Sequence, residues 1–267
     1  MIKVSKVAFN YDKGRTLFKD LSFEVKKGET LAVLGPNGTG KTTFIKCLMG
    51  FFKFRVGEVF INNISNKDIN QKDFWKQVGY VPQAKNVSFG FSVLEMVVMG
   101  LSPYIGMGRL PKKEEYSKAK EMLKQLGILH LQNASCNKIS GGQLQMVLIA
   151  RTLIKDPKIL IMDEPESNLD LKNQMKILNI IEKLNSKKQM AIIINTHFPH
   201  HALKVAQNTL IIGENNHVLG STKEIVTKEN MKQYFDIDTE IISYSKDNKV
   251  YNTILPLGLS KNKTVIN

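Results

Sequence analysis

Long apolar runs are missing from this chain. No stretch approaches the roughly 18 residues that a membrane-spanning helix needs, so no span is expected from its own residues. Cysteine is nearly absent. Cys47 and Cys136 stand far apart, without disulfide or metal-ligand spacing, and both are expected as reduced thiols. Arginine is also scarce, appearing only at Arg15, Arg55, Arg109 and Arg151. Internal repeats and low-complexity linkers are lacking. The opening Met1-Ile2-Lys3-Val4 runs straight into a strand-like alternation, so no signal peptide is expected.

Acidic residues are few relative to basic ones. Lys and Arg together number 38 against 24 Asp and Glu, a formal net charge of +14. Nucleic acid is the first suspicion for such a balance. The excess is nearly all lysine, however, and it is scattered. Only short pairs occur, such as Lys26-Lys27, Lys112-Lys113 and Lys187-Lys188, and no basic run is interleaved with aromatics. A solvated lysine surface is therefore expected, with no nucleic acid partner. Mild attraction to an anionic membrane face fits the same charge. At 267 residues and 42% hydrophobic, the chain can bury a large core in one domain or two small ones.

What the chain does have is periodicity that switches between two and 3.6 residues. Residues 3–9 and 21–25 alternate as half-buried strands, and Lys27-Gly28 turns into a short apolar run of Leu31, Ala32, Val33 and Leu34. Residues 59–61, 78–81, 159–162, 191–195 and 209–212 read as further strands. Residues 114–126 carry Tyr116, Ala119, Met122, Leu123 and Leu126 on one helical face, and residues 144–154 read as a buried helix. Residues 171–184 place Met175, Leu178 and Ile181 on one stripe. Strands separated by helices predict a parallel α/β sheet, with a helical insert as a second lobe. Ile241-Ile242 and Val250-Tyr251 predict two strands in a short extension beyond Glu214.

Gly35-Pro36-Asn37-Gly38-Thr39-Gly40-Lys41-Thr42 satisfies every fixed position of G-x-x-x-x-G-K-[ST]. It sits between the 31–34 strand and a helix expected over 43–49, with Thr43 adjoining the same site. Glycines let backbone N–H groups close around phosphate oxygens, and the helix start adds positive potential. Lys41 can reach the β- and γ-phosphates, and the Thr42 hydroxyl can ligate Mg²⁺. A nucleoside triphosphate is the expected ligand. Ile159-Leu160-Ile161-Met162 ends in Asp163-Glu164. A buried strand delivers Asp163 at its carboxyl end, where open α/β sheets bind ligands. Asp163 suits Mg²⁺, and Glu164 suits deprotonation of an attacking water. Ile139-Ser140-Gly141-Gly142-Gln143 opens an apolar helix and makes a second anion-seeking helix start. Two such starts in one chain suggest two copies that face each other.

With these motifs in this order, the chain resembles an ATP-binding-cassette (ABC) ATPase subunit over essentially its whole length. Residues 35–42 and the Asp163/Glu164 strand match that family's Walker A and Walker B motifs. Residues 139–143 resemble its LSGGQ signature, with Ile139 in place of leucine. Tyr11 lies where the family stacks an aromatic on adenine. Gln83 matches the Q-loop glutamine, a magnesium contact. Asp170 matches the D-loop, and His197, after Asn195-Thr196, the switch histidine at the γ-phosphate.

The resemblance implies a P-loop NTPase fold. It would have a RecA-like parallel-sheet core, an antiparallel β subdomain and an α-helical signature subdomain. Residues 1–84 and 156–213 would form the nucleotide-binding lobe, 85–155 the helical subdomain and 214–267 a C-terminal extension. It also implies two ATPs sandwiched head to tail between two cassettes. Each would meet Lys41, Thr42, Gln83, Asp163, Glu164 and His197 of one copy and Ser140 and Gly142 of the other. Gly141, Gln143 and Asp170 complete the nucleotide-binding set.

Residues 83–109 correspond to the part of such cassettes that contacts membrane subunits. Here Val93, Glu95, Val97, Gly100 and Pro103 agree with a stretch usual in importers of iron–siderophore, haem, cobalamin and related chelates, while Leu101 stands where arginine is common. Residues 165–170 and the tail 254–258 are similar to the same group. The implied partners are integral membrane permease subunits and, indirectly, an extracytoplasmic substrate-binding protein. The implied place is the cytoplasmic face of the cell membrane. A soluble cassette of iron–sulfur-cluster assembly is the alternative from another class. It would lack an apolar docking surface at 88–105, where this chain has Phe89, Phe91, Met96, Val98 and Met99. A different importer or an exporter shares every catalytic motif. A chromosome-type cassette would carry a long inserted coiled coil, and a translation-factor cassette would carry two cassettes in one chain.

Overall fold

The first strand shows how local pattern and pairing combine. In a computed structural model, which describes residues 1–11, 14–84, 90–105, 108–187, 190–214 and 216–260, β1 (Ile2–Asn10) pairs antiparallel with β2 (Thr16–Val25). Val4, Val7 and Phe9 are all buried, although strict alternation would turn Val7 outward. The odd step is absorbed by a register shift between Val4 and Val7, with Lys6 at φ 46°. Such an extra residue is the signature of a β-bulge.

The chain then enters the buried strand β3 (Thr30–Leu34) and the helix α1 (Lys41–Leu48). β4 (Val56–Ile61) and β5 (Ile64–Ser65) return to the first strands, closing an antiparallel sheet of order β2-β1-β4-β5. A helix α2 (Gln71–Gln77) leads into β6 (Val78–Val81). Three helices follow: α3 (Val93–Val98), α4 (Lys113–Gln125) and α5 (Gly141–Leu153). The alternation resumes with β7 (Ile159–Asp163), α6 (Leu171–Ser186), β8 (Ala191–Asn195), α7 (Pro199–Val205), β9 (Asn208–Ile212) and β10 (His217–Ser221). The helices α8 (Thr222–Ile225) and α9 (Lys228–Phe235) precede a hairpin of β11 (Ile237–Lys246) and β12 (Lys249–Leu259).

The main sheet has the order β10-β9-β3-β8-β7-β6, parallel except for β10. Its central strands are apolar throughout because both faces are covered. Leu31, Val33, Ile159, Ile161, Ile193, Leu210 and Ile212 point to one side, into a core shared with α1 and the antiparallel sheet. Ala32, Leu34, Leu160, Met162, Ile192, Ile194 and Ile211 point to the other side, into a core built with α3, α5 and α6. Each fully buried Leu or Ile contributes about 1.5–3 kcal/mol. Two cores on one sheet thus hold rigid the strand ends that carry the chemistry.

Two expectations are corrected. On α6 the buried residues are Ile177, Leu178 and Ile181, while Met175 is 37% exposed. Met175 lies six residues from Ile181, about 240° around the helix, so one stripe cannot hold both. On α3, Met96 and Val98 are 6% and 2% exposed and belong to the core beside α5. They are therefore not docking surface. Phe91 at 38% and the half-buried Met99 remain on the outside, and Asn86, Val87, Ser88 and Phe89 lie outside the described residues. Elements that sequence periodicity did not suggest include α2, α7, α9 and β10. All are short, and one or two turns leave too few residues to establish a period.

Candidate functional site

Four neighbouring strands of the main sheet deliver the site from their carboxyl ends. In spatial order β3 leads to the glycine loop, β8 to Asn195 and His197, β7 to Asp163 and Glu164, and β6 to Gln83. This is the crevice where open α/β sheets bind ligands.

The loop is built from backbone that only glycine adopts freely. Gly35 has φ 146°, and a Cβ there would lie 2.2 Å from the Ile212 carbonyl oxygen. Gly40, the residue before α1, has φ 103°, and a Cβ would meet Leu17 at 2.9 Å. Pro36, Asn37, Gly38 and Thr39 complete the turn, with Thr39 Oγ1 donating to the Pro36 carbonyl at 3.0 Å. Lys41 folds back over this loop. Its Nζ donates to the Gly35 and Pro36 carbonyls at 2.7 and 2.8 Å, leaving its third hydrogen for a phosphate. Burial lowers the Lys41 pKa to about 8, against an upward pull from the Glu164 and Asp163 charges. The acid pair ends β7, two strands away from β3 along the same sheet edge. Thr42 is exposed at the helix start, and the next residue, Thr43, bonds through Oγ1 to the Tyr11 hydroxyl at 2.8 Å. Tyr11 is 49% exposed and makes T-shaped ring contacts with Phe9 at 5.1 Å and Phe52 at 6.3 Å.

The acids are held differently from each other. Asp163 is 6% exposed; its Oδ1 accepts from Asn195 Nδ2 at 2.6 Å and its Oδ2 from the Tyr80 hydroxyl at 3.3 Å. Burial, then the Asp163 charge and hydrogen bond, push the Tyr80 phenol well above its ordinary range, so Tyr80 stays a donor. Glu164 has φ 48°, unusual for a residue with a side chain, and its N–H donates to the Asn195 carbonyl at 2.9 Å. Such a backbone costs about 1–3 kcal/mol and persists where surroundings enforce it. Its carboxylate pairs with His197 Nε2 through one oxygen and accepts from Ser167 Oγ at 3.1 Å through the other.

Gln83 is half-buried just beyond β6. The segment before it is tied to α5: Thr152 Oγ1 donates to the Tyr80 carbonyl at 3.1 Å, and Gln145 Nε2 to the Pro82 carbonyl at 3.3 Å. The far end of α5 carries Ser140, whose Oγ accepts from Gln143 N at 3.3 Å while Gln143 Oε1 accepts from Ser140 N at 2.9 Å. This capping box leaves the serine hydrogen free to donate. Gly141 is exposed with open space above it, whereas a Cβ on Gly142 would meet Asn173 at 2.6 Å. Asn173 is in turn held by Asp170, which caps α6: Asp170 Oδ1 accepts the Asn173 N–H at 2.8 Å and Oδ2 accepts from Asn173 Nδ2 at 3.0 Å. Thus Lys41, Asp163, Glu164 and His197 come together at the strand ends. Ser140, Gly142, Gln143 and Asp170 gather instead at the start of two helices, and the bonds of Ser140 and Gln143 do not reach the glycine loop. Tyr80, Asn195 and Ser167 were not singled out from the sequence as partners of the acids. Nothing in their spacing announces a bond made across neighbouring strands.

Freed backbone N–H groups, a lysine beside them and a hard carboxylate on the next strand suit a phosphate chain with a small divalent cation. Asp163 keeps lone pairs and the Thr42 hydroxyl is solvent-facing, so oxygen donors fit Mg²⁺. The arrangement is that of a P-loop nucleoside triphosphatase. The ABC transporter model matches residues 18–167, and the chain belongs to that family of transport-coupled ATPases. It is 34% identical to the molybdate import ATP-binding protein MolC of Haemophilus influenzae over 88% of each chain. It is also 34% identical to a Helicobacter pylori protein named for iron chelatin transport, over 94% of this chain and 98% of that protein. Among solved structures, an inward-facing metal-chelate type ABC transporter is 31% identical and superposes with a TM-score of 0.85 over 96% of both chains. A dimeric ATP-binding cassette bound to ADP and phosphate is 28% identical with a TM-score of 0.72, over 83% of this chain and 99% of that chain.

Proposed function

We propose that this chain is the ATP-hydrolysing subunit of a membrane importer for a metal chelate such as an iron–siderophore, haem or cobalamin. It works as a head-to-tail dimer at the cytoplasmic face of the cell membrane. The observation that carries the cargo class is the TM-score of 0.85 to a metal-chelate type transporter over 96% of both chains. Molybdate is the second reading, because a molybdate import protein is as similar in sequence as an iron chelatin one.

In this reading adenine stacks on Tyr11 and the phosphates lie along residues 35–43. Thr42, Gln83 and Asp163 hold Mg²⁺, which neutralises charge on the β- and γ-phosphates when bound. Glu164 takes the proton of the attacking water, and His197 fixes the Glu164 carboxylate beside the γ-phosphate. Ser140, Gly141, Gly142 and Gln143 of a second copy close the site, with Asp170 beside them. Catalysis is positioning and charge stabilisation. Residues 1–84 and 156–213 are the nucleotide-binding lobe, 85–155 the helical subdomain and 214–267 a short C-terminal extension.

Permease subunits dock on the helical unit, and a substrate-binding protein acts on them from outside. Support comes from a groove of about 480 Å³ whose lining includes Phe91, Met99, Ile105 and Tyr116 together with Glu95 and Arg109. Such a groove suits an amphipathic helix. No helix among the described residues is long and apolar enough to cross a membrane. The test is a pull-down from detergent-solubilised native membranes, using tagged Glu164→Gln protein with ATP and Mg²⁺. A polytopic permease in the eluate is expected. Soluble partners alone would move the role to a soluble cassette.

A further inference from the structure

Beside the Glu164–His197 pair lies a second acid–histidine pair that the reaction does not touch. Glu166 is 1% exposed and His201 2%. His201 Nδ1 faces Glu166 Oε1 at 3.4 Å, and the same oxygen accepts the hydroxyl of Thr196, which is 0% exposed. Thr196 Oγ1 also accepts the Phe198 N–H at 3.1 Å, and the Phe198 carbonyl accepts the His201 N–H at 2.9 Å. The Phe198 ring packs on the His201 ring, centroids 4.8 Å apart. Glu166 follows Glu164 by two residues. Thr196 directly precedes His197, and His201 lies in the first turn of α7, the helix that follows it. The two turns are therefore joined twice, once at the partly buried Glu164–His197 contact and once in the dry layer behind it.

Packing alone does not call for this arrangement. A buried carboxylate loses its hydration and must recover it from few partners, so an apolar pair of similar volume would be as stable or more so. Here the recovery is incomplete: Glu166 Oε2 and His201 Nδ1 are buried without a hydrogen-bond partner among the described residues. What the cluster does achieve is directional. A single oxygen accepts the hydroxyl of the residue before His197 and stands 3.4 Å from His201 Nδ1 on the helix after it.

We propose that Glu166, Thr196 and His201 form a buried brace that sets the His197 imidazole against Glu164, making Glu166 and His201 positioning residues for ATP hydrolysis. The proposal rests on the reading of Glu164 and His197 as the pair at the γ-phosphate. The brace transfers no proton to the reaction and touches no substrate. Removing it lets the 196–201 turn drift, and displacements near 1 Å cost about a hundredfold in rate.

The test is steady-state ATPase kinetics on the full chain with thermal melting alongside. Glu166→Ala and His201→Ala are expected to lower kcat by about ten- to a hundredfold while KM for ATP stays within about twofold. Glu166→Gln keeps the size and an acceptor for Thr196, and is expected to recover to within about threefold of the parent. The double variant Glu166→Thr with His201→Leu leaves no buried charge, and so keeps the protein folded if a single variant fails. It is expected to melt at or above the parent temperature and still turn over slowly. A double variant with parental melting and parental kcat would overturn the brace. Glu164→Gln separates the two claims. If it alone retains turnover, the reading of the site falls and the brace with it; if it is inactive, a failed brace leaves that reading standing.

Discussion

Asn195 donates from Nδ2 to Asp163 Oδ1 at 2.6 Å, between side chains that are 0% and 6% exposed. The bond follows from sheet register, since Asp163 and Asn195 are direct partners in the β7–β8 ladder. The same residue accepts the Glu164 N–H at its carbonyl. One asparagine therefore fixes the carboxylate suited to the metal and the strained backbone of the neighbouring acid.

Asn195→Ala is expected to destabilise the fold by about 1–3 kcal/mol, because a buried carboxylate oxygen loses its donor. Thermal denaturation reads this as a fall of roughly 2–4 °C per kcal/mol. An unchanged melting temperature would mean that water replaces the amide at no cost.

Glu164→Gln is expected to keep ATP binding and to lose about 10²–10⁴-fold in kcat, the range for a removed general base. Equilibrium nucleotide binding and phosphate release measure the two separately. Hydrolysis at the parental rate would remove Glu164 from the chemistry.

Affinity for ATP is expected to weaken as pH rises above about 8, where Lys41 of the free protein loses its charge. Phosphates raise the lysine's pKa on binding, so binding takes up a proton over that window and the dissociation constant grows by at most about tenfold per pH unit. Below pH 8 the lysine is charged in both states and this dependence vanishes. Titrations from pH 6.5 to 9.5, with the pH series pinned at about one-unit steps, test the sign. Lys41→Ala should bind about ten- to a hundredfold more weakly and lose the slope.

Gly35→Ala is expected to destabilise the protein and weaken nucleotide binding together. The added methyl would sit 2.2 Å from the Ile212 carbonyl at a φ of 146°. At Gly141, where a Cβ meets open space, the same substitution is expected to leave the melting temperature within about 1 °C. Parallel melting curves for the two variants check the contrast.

The glycine loop and the acid pair were legible in the sequence because their chemistry is local. A phosphate cradle needs its glycines, lysine and threonine at fixed spacing, and the strand before each motif announces itself by an unbroken apolar run. The parallel-sheet core and the two strands of the C-terminal extension followed from the same periodicity, while their pairing as a hairpin did not. What was not legible depends on which strands become neighbours. Tyr80 reaches Asp163 only because β6 lies beside β7, and Glu166 meets His201 only because β7 lies beside β8. An apolar residue also does not declare its direction. Met96 and Val98 read as docking surface and instead fill the core, while Met175 reads as core and faces out.

The most direct test of the shared site is the mass of Glu164→Gln protein in solution, measured by light scattering with and without ATP and Mg²⁺. The head-to-tail account predicts a monomer of 30.2 kDa alone and twice that mass with nucleotide. It also predicts that Ser140→Arg in the same background abolishes the change. A mass of 30.2 kDa that persists at saturating ATP would contradict it, because the serine–glycine helix start would then have no phosphate to close upon.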